Sequence, residues 1–323
     1  MKRKLLPGTE LEVPLLSLGT MTFGGQTDED EAGRIMAAAL ERGVCLFDTA
    51  NVYTGGESEA IVGRFLKGRR EGVILATKVG NPVPGSPGGG GLGAAHVRWS
   101  AEASLRRLQT DVIDIFYLHR PDHKTPIDET LAAMDRLVRD GLVRHWGISN
   151  YAAWQVAGIV ERCRAQGFAT PVISQNVYNL LTRGIEAELV PCLAAYDIGL
   201  TVYNPLVAGL LTGKHRGEEP ESGTRFTHTR FYYDRYWNSR NREAVEQLRG
   251  VAEMASLTLL ELALSWVMGQ PGVLTTLIGA SRLAQIEENL AVAERVRPLS
   301  EITLAACDEV WTQLAGRPFS YIR

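Results

Sequence analysis

Apolar residues come in short runs, separated by longer stretches whose apolar positions recur at helical spacing, and the alternation repeats along the chain. Leu15-Leu16-Ser17-Leu18-Gly19 reads as a first strand. After it, Ile35, Met36, Ala39 and Leu40 form one helical stripe. Asp28, Glu29, Asp30 and Glu31 occupy the first turn, where the helix dipole favours them; Thr27 is the expected cap and Gly43 the stop. Further strands are expected to end at Asp48, Lys78 and His119, with helices over 58–67, 97–108 and 127–139. A fifth strand over 143–148 precedes a helix over 152–166, and a sixth over 172–176 precedes one over 186–196. A seventh strand, 200–203, opens into a long loop reaching about residue 238. A helical region to Met268, an eighth strand over 275–278, a helix capped by Ser281 and a last helix over 302–314 complete the pattern. Parallel strands need covering crossover helices, so eight such alternations predict an α/β fold, a (β/α)8 TIM barrel. Pro7-Gly8 punctuates two short apolar runs and predicts an N-terminal β-hairpin plugging one end. No shift in composition divides the chain, so a single domain over 1–323 is expected.

Composition narrows the partners. The chain has 323 residues, 45% of them hydrophobic, enough for a core without metal or disulfide staples. The net charge of −3 and the lack of an extended Lys/Arg cluster argue against a nucleic-acid surface. Lys2-Arg3-Lys4 is followed by Pro7, Gly8, Glu10 and Glu12 where a signal peptide needs an apolar run, and no run of transmembrane length occurs. Cys45, Cys163, Cys192 and Cys307 are widely spaced, which predicts free thiols and a cytoplasmic location.

Three apolar strands each end in an ionisable group, which points to a site on one rim of the barrel. Phe47-Asp48-Thr49-Ala50-Asn51-Val52-Tyr53 presents a carboxylate and then a phenol. Ile74-Leu75-Ala76-Thr77-Lys78 presents a lysine, and Ile113-Asp114-Ile115-Phe116-Tyr117-Leu118-His119 a histidine. The set suits reduction of a carbonyl. Hydride addition to carbon leaves an alkoxide that needs a proton, and a tyrosine of ordinary pKa supplies one poorly. A neighbouring ammonium lowers that pKa, a carboxylate balances the buried lysine, and a neutral histidine can hydrogen-bond the carbonyl oxygen. Taken singly, each has a plainer reading: Asp48 and Lys78 as a structural pair, Tyr53 as packing, His119 as a satisfied core histidine.

These stretches, with Leu18-Gly19-Thr20-Met21, resemble the aldo-keto reductase superfamily. Within it the chain is most similar to the aflatoxin aldehyde/succinic semialdehyde reductase branch, through Tyr117-Leu118-His119-Arg120-Pro121-Asp122-His123, Ser149-Asn150-Tyr151-Ala152-Ala153-Trp154, Thr182-Arg183-Gly184-Ile185-Glu186, Tyr203-Asn204-Pro205-Leu206 and Tyr321-Ile322-Arg323. The resemblance implies that Tyr53 donates the proton, Lys78 and Asp48 tune it, His119 orients the substrate, and NADPH supplies the hydride without a metal. Ser149, Asn150 and Gln175 carry the donors and acceptors that a nicotinamide carboxamide needs. Tyr203 resembles the residue that stacks on the nicotinamide. Asn204, Pro205, Leu206, Gly209 and Lys214 are expected near the pyrophosphate, with Arg225 on the same loop. Gly279, Ser281, Arg282, Gln285, Glu288 and Asn289 surround a helix N-terminus, an anion site where Arg282 can pair with a 2′-phosphate.

The same resemblance implies that Arg225 and Arg323 meet a substrate carboxylate, and Met21, Phe23 and Tyr53 are expected to line the pocket with Tyr232, Tyr233 and Trp237. The plainer reading of that aromatic cluster is a pin for the loop, or a contact with a second subunit, since the branch contains dimers. Gly88, Gly90 and Gly93 satisfy G-x-G-x-x-G but stand too far from the preceding strand for a dinucleotide turn. Pro121 breaks the helix that would place His119 and His123 on one face as metal ligands. The expected activity is NADPH-dependent reduction of aldehydes, acid-bearing aldehydes or dicarbonyls. Two other readings stay open: an NADPH-binding regulatory subunit with little turnover, and a Schiff-base aldolase built on Lys78.

Overall fold

A computed structural model describes residues 1–316. It begins with an antiparallel hairpin of β1 (Arg3–Leu5) and β2 (Glu12–Pro14). Then come β3 (Leu16–Gly19), α1 (Glu29–Glu41), β4 (Leu46–Asp48), α2 (Glu57–Leu66), β5 (Ile74–Val79), α3 (Ala94–Leu108), β6 (Ile113–Leu118), α4 (Ile127–Arg139), β7 (Val143–Ser149), α5 (Ala153–Gln166), β8 (Ile173–Val177), α6 (Leu189–Ala195) and β9 (Gly199–Tyr203). The segment after β9 holds α7 (Arg225–His228), α8 (Arg230–Tyr236), α9 (Ser239–Met254) and α10 (Leu259–Gly269). It is followed by β10 (Val273–Gly279), α11 (Leu283–Arg295) and α12 (Glu301–Ala315). Strands β3 to β10 close into a barrel in the order β10-β3-β4-β5-β6-β7-β8-β9, the expected (β/α)8 architecture.

The chain forms two compact units. One comprises Met1–Asn176, Ile185–Tyr203 and Leu274–Leu290; the other comprises Val177–Gly184, Asn204–Val273 and residues 291–316. In the first unit β5 and β6 are buried along their whole length, as parallel strands covered on both faces are, which is why they read as mainly apolar runs, interrupted by Thr77 and Lys78 in β5 and by Asp114 in β6. Leu6, Leu11 and Val13 of the hairpin region share one core cluster with Leu46, Ile74 and Ile115 from β4, β5 and β6, so the hairpin closes that end as expected. In the second unit α9 and α12 are linked by Arg240 Nη2 to the Leu314 carbonyl (2.6 Å) and Gln247 Nε2 to Gln313 Oε1 (3.1 Å). No single helix among the described residues is long and apolar enough to cross a membrane. Cys45, Cys163 and Cys307 are buried, Cys192 is half-buried, and all four are free.

Several local expectations need correction. Asp28, not Thr27, caps α1: its Oδ1 accepts the Glu31 N–H at 2.9 Å, while Thr27 donates to Thr22. The helix expected over 186–196 is only Leu189–Ala195, because Pro191 in its first turn excludes a helical carbonyl four residues earlier. The helical region to Met268 is two helices bent by 90°. Thr258 and Glu261 form a capping box that starts the second. The long loop after β9 contains a 3-10 turn over Val207–Thr212 as well as α7 and α8.

Candidate active site

Side chains alternate across a strand, so Leu46 and Asp48, then Ile74, Ala76 and Lys78, then Ile115, Tyr117 and His119 point to the same side of their strands. The register sets Asp48 beside Ala76 and Lys78 beside Tyr117. The apolar members fill the barrel, and the ionisable members emerge where the strands end. Gly147 of β7 pairs with Tyr117; a Cβ at Gly147 would lie 2.7 Å from Tyr117 Cε1, so the missing side chain is what admits the phenol ring.

Lys78 is fully buried and Asp48 nearly so. The ammonium donates to Asp48 Oδ1 in a short ion pair and to the Thr49 carbonyl at 2.8 Å. Gln175 Nε2 donates to the other carboxylate oxygen at 2.8 Å. Burial pushes the Asp48 carboxyl up and the Lys78 ammonium down, while each charge pulls its partner back. An ion pair in such a place is held by geometry and extra hydrogen bonds more than by net attraction. Tyr117 lies below it, with Lys78 Nζ 5.9 Å from the ring centroid; burial, then the Asp48 charge, raises its phenol above the ordinary value.

Tyr53 is brought over this pair by a turn sewn to the strand ends. Asn51 N–H donates to the Lys78 carbonyl (3.2 Å), Thr49 Oγ1 and Ser58 Oγ share a hydrogen bond (2.9 Å), and Thr54 Oγ1 donates to the Phe23 carbonyl (2.8 Å). Thr54 has φ 50°, an uncommon conformation for a β-branched residue. Lys78 Nζ stands 5.2 Å from the Tyr53 ring centroid, and the rings of Tyr53 and His119 meet edge-on, 5.9 Å apart at 77°. His119 is half-buried; burial first, then the charges of Lys78 and Arg120, lower its pKa to about 3, so the imidazole is neutral. The structure thus brings Asp48, Tyr53, Lys78 and His119 together, a basic and an acidic buried group beneath a phenol and a neutral imidazole.

Ser149, Asn150, Gln175 and Tyr203 belong to the same unit. Asn150 Nδ2 donates to Ser149 Oγ and to the His119 carbonyl, both at 3.0 Å, and its Oδ1 accepts from Tyr203 Oη at 2.8 Å. At the start of α11, Arg282 and Glu288 are exposed and Asn289 is buried. Two acceptors already engage this helix start: Glu31 Oε1 takes the Leu283 N–H (2.6 Å) and Gln285 Oε1 takes the Ser281 N–H (2.9 Å). In the other unit Asn204 Oδ1 accepts the Ala208 N–H (2.7 Å) and its Nδ2 donates to Tyr236 Oη (2.9 Å). Pro205 and Leu206 are buried, and Val207, Ala208 and Gly209 all have positive φ. Lys214 is exposed with its Nζ close to Gly209, and the half-buried Arg225 stacks on Tyr232 at 5.1 Å. Met21 is 37% exposed, whereas Phe23 is fully buried and packs as core, so its side chain lines no open surface. Arg323 lies outside the described residues.

Three contacts go beyond the sequence expectations. Gln175, expected at a carboxamide, spends its amide nitrogen on Asp48. Tyr117, two residues before His119 and so on the same face, carried a period-2 signal. Asn81, whose Nδ2 lies 3.0 Å from His119 Nδ1, carried none.

Comparison with known proteins agrees with this architecture. The model of the aldo/keto reductase family matches residues 15–312. "Aflatoxin B1 aldehyde reductase member 2" of Rattus norvegicus is 37% identical over 339 residues, spanning 99% of this chain and 88% of that protein. "Probable voltage-gated potassium channel subunit beta" of Arabidopsis thaliana is 35% identical, spanning 99% of this chain and 100% of that protein. "Aldo-keto reductase family 7 member A3" of Homo sapiens is 35% identical over 96% of this chain. With that match running from β3 into α12, the chain belongs to the aldo/keto reductase family of oxidoreductases.

Proposed function

We propose that the chain is an NADPH-dependent carbonyl reductase that converts aldehydes to alcohols, with Tyr53 as the proton donor. The observation that carries this reading is the buried Lys78–Asp48 pair set 5.2 Å beneath the Tyr53 ring, with a neutral His119 beside it. The ammonium favours the phenolate that remains after Tyr53 gives up its proton. Asp48 balances the lysine charge, and Gln175 keeps the carboxylate oriented. His119 hydrogen-bonds the carbonyl oxygen and strengthens that bond as negative charge develops there. NADPH, when bound, supplies the hydride to the carbonyl carbon.

The residues fit a nicotinamide carboxamide. The Ser149 hydroxyl accepts from Asn150 and so has its own proton to donate; Gln175 donates to Asp48 and so has Oε1 to accept. One donor and one acceptor are what a carboxamide requires. Tyr203 would stack on the ring, and Arg282 would meet the adenosine end. A cation at a helix N-terminus suits the 2′-phosphate that separates NADPH from NADH.

Purified protein should oxidise NADPH in the presence of 4-nitrobenzaldehyde and of succinic semialdehyde. Tyr53→Phe should lower kcat on the order of 1,000-fold, within the range that a positioned acid contributes, while NADPH binding followed by fluorescence is retained. Faster reduction of succinic semialdehyde would support an acid-bearing aldehyde as substrate. The Arabidopsis relative named as a channel subunit favours a second reading, a cofactor-binding regulatory subunit. Tight NADPH binding without turnover of either aldehyde would select it.

A further inference from the structure

The glycine- and proline-rich loop between β5 and α3 is tied at both ends to the turn that follows β6. At its far end the Leu92 N–H donates to Asp122 Oδ2 at 2.8 Å, Thr125 Oγ1 donates to the same oxygen at 2.7 Å, and Thr130 Oγ1 donates to the Leu92 carbonyl at 2.9 Å. Gly91 has φ +82°, and a Cβ there would lie 2.7 Å from Asp122 Oδ2, so this clamp requires glycine. At its near end Asn81 places Nδ2 3.0 Å from His119 Nδ1. His119 is held on the main chain as well: its N–H donates to the Val79 carbonyl at 2.8 Å, and its carbonyl accepts from Asn150 Nδ2 at 3.0 Å. The backbone therefore sets where His119 stands, and Asn81 engages its ring nitrogen Nδ1.

An amide nitrogen can only donate, so Nδ1 must present its lone pair to Asn81. In a neutral imidazole the proton is then on Nε2. We propose that Asn81 is a positioning residue that holds His119 as the Nε2–H tautomer, so that the ring meets a substrate carbonyl oxygen as a hydrogen-bond donor. The statement about the substrate rests on the carbonyl-reductase reading; the statement about the tautomer does not. The glycine-rich loop thereby acquires a role, because the Asp122 clamp at one end keeps Asn81 against the imidazole at the other.

The test is Asn81→Asp, which keeps the side-chain shape but replaces the donor with a carboxylate that can only accept. Nitrogen NMR of protein labelled with 15N-histidine reads the tautomer directly, and the signals lost in His119→Gln identify the ring. In the wild type, Nδ1 should resonate in the pyridine-like range and Nε2 in the pyrrole-like range. In Asn81→Asp, Nδ1 should become protonated, either as the opposite tautomer or as imidazolium. In turnover, kcat should fall on the order of 100-fold or more, as wrong-tautomer variants of other catalytic histidines do, with the KM for NADPH unchanged. A wild-type ring protonated on Nδ1 overturns the assignment, and so does an Asn81→Asp ring in the wild-type state. If Asn81→Asp fails to fold, Asn81→Ala decides: mixed tautomers support the assignment and an unchanged Nε2–H ring overturns it. NMR needs no substrate, so a protein that responds in the spectrum but reduces no aldehyde loses the reductase reading and keeps this one.

Discussion

His119, at the end of β6, and His215, in the segment after β9, are imidazoles whose basicity burial depresses, in unlike surroundings. His119 meets polar groups: the Asn81 amide, the Tyr53 ring edge and the charge of Lys78. His215 meets rings: Phe226 at 5.3 Å and Trp237 at 5.1 Å, which are themselves 5.1 Å apart. Its Nδ1 accepts the Glu221 N–H at 3.3 Å, and its Nε2 has no hydrogen-bond partner among the described residues. Burial first and then Lys214 bring its pKa to about 4. The cations differ in the same way. Lys78 is locked to a carboxylate inside the barrel, whereas Arg225 and Arg230 each lie 5.1 Å over a tyrosine ring and Arg235 lies 5.2 Å over Tyr236. Cation–π contacts at exposed sites, such as that of Arg230, are worth about 0.5–1 kcal/mol each. One region holds its groups by hydrogen bonds and a buried ion pair. The other holds them by contacts that tolerate adjustment.

The sharpest way to break this contrast is at the buried pair. Lys78→Ala removes the ammonium from the buried Asp48 carboxylate, which keeps the Gln175 amide, and should cost about 3–5 kcal/mol of stability in urea denaturation. A cost near that of an exposed pair such as Arg64–Glu29 would show that the rim is not held as described.

The two histidines predict an acid limb in stability. Their unfolded pKa is near 6.5, and the folded values are about 3 for His119 and about 4 for His215. Below pH 6.5 the unfolded chain takes up protons that the folded chain refuses, so the contribution is complete above pH 6.5 and drains away as the pH falls toward the folded values. His119 should account for up to about 1.4 kcal/mol per pH unit in that window. His119→Gln should flatten the slope in denaturation curves collected between pH 6.5 and 4.5. Burial works to raise Asp122, yet donors from Lys124, Leu92 and Thr125 bring it down to about 2, so its own loss enters only below pH 4.

The smallest effect is expected in the aromatic box. His215→Phe removes a long hydrogen bond and an unpaired buried nitrogen together, and should change stability by no more than about 1 kcal/mol while leaving kcat unchanged. A large loss of stability would mean that His215 is held by polar contacts after all, and the contrast with His119 would fail.

The barrel was legible because parallel strands covered on both faces are mainly apolar, so an ionisable residue that closes such a run stands out; Asp114, buried near the start of β6, shows that the rule is not strict. Asp48, Lys78 and His119 were found by that rule. Capping was legible only in part: Asp28 and Thr27 are adjacent and both suitable, and backbone geometry chose Asp28. The Thr258–Glu261 capping box has the sequence signature of a helix start, but helical periodicity on both sides of it reads as one continuous helical region.

The alternation of strands and helices, the hairpin at one end and the four groups at and just beyond the strand ends can be read along the chain, because periodicity and burial act locally. Their partners follow from the folded arrangement. Gln175 reaches Asp48 across 127 positions, Asn81 reaches His119 across 38, and Phe23 was withdrawn into the core. Such contacts depend on the register of neighbouring strands and the path of one loop, which no local pattern encodes.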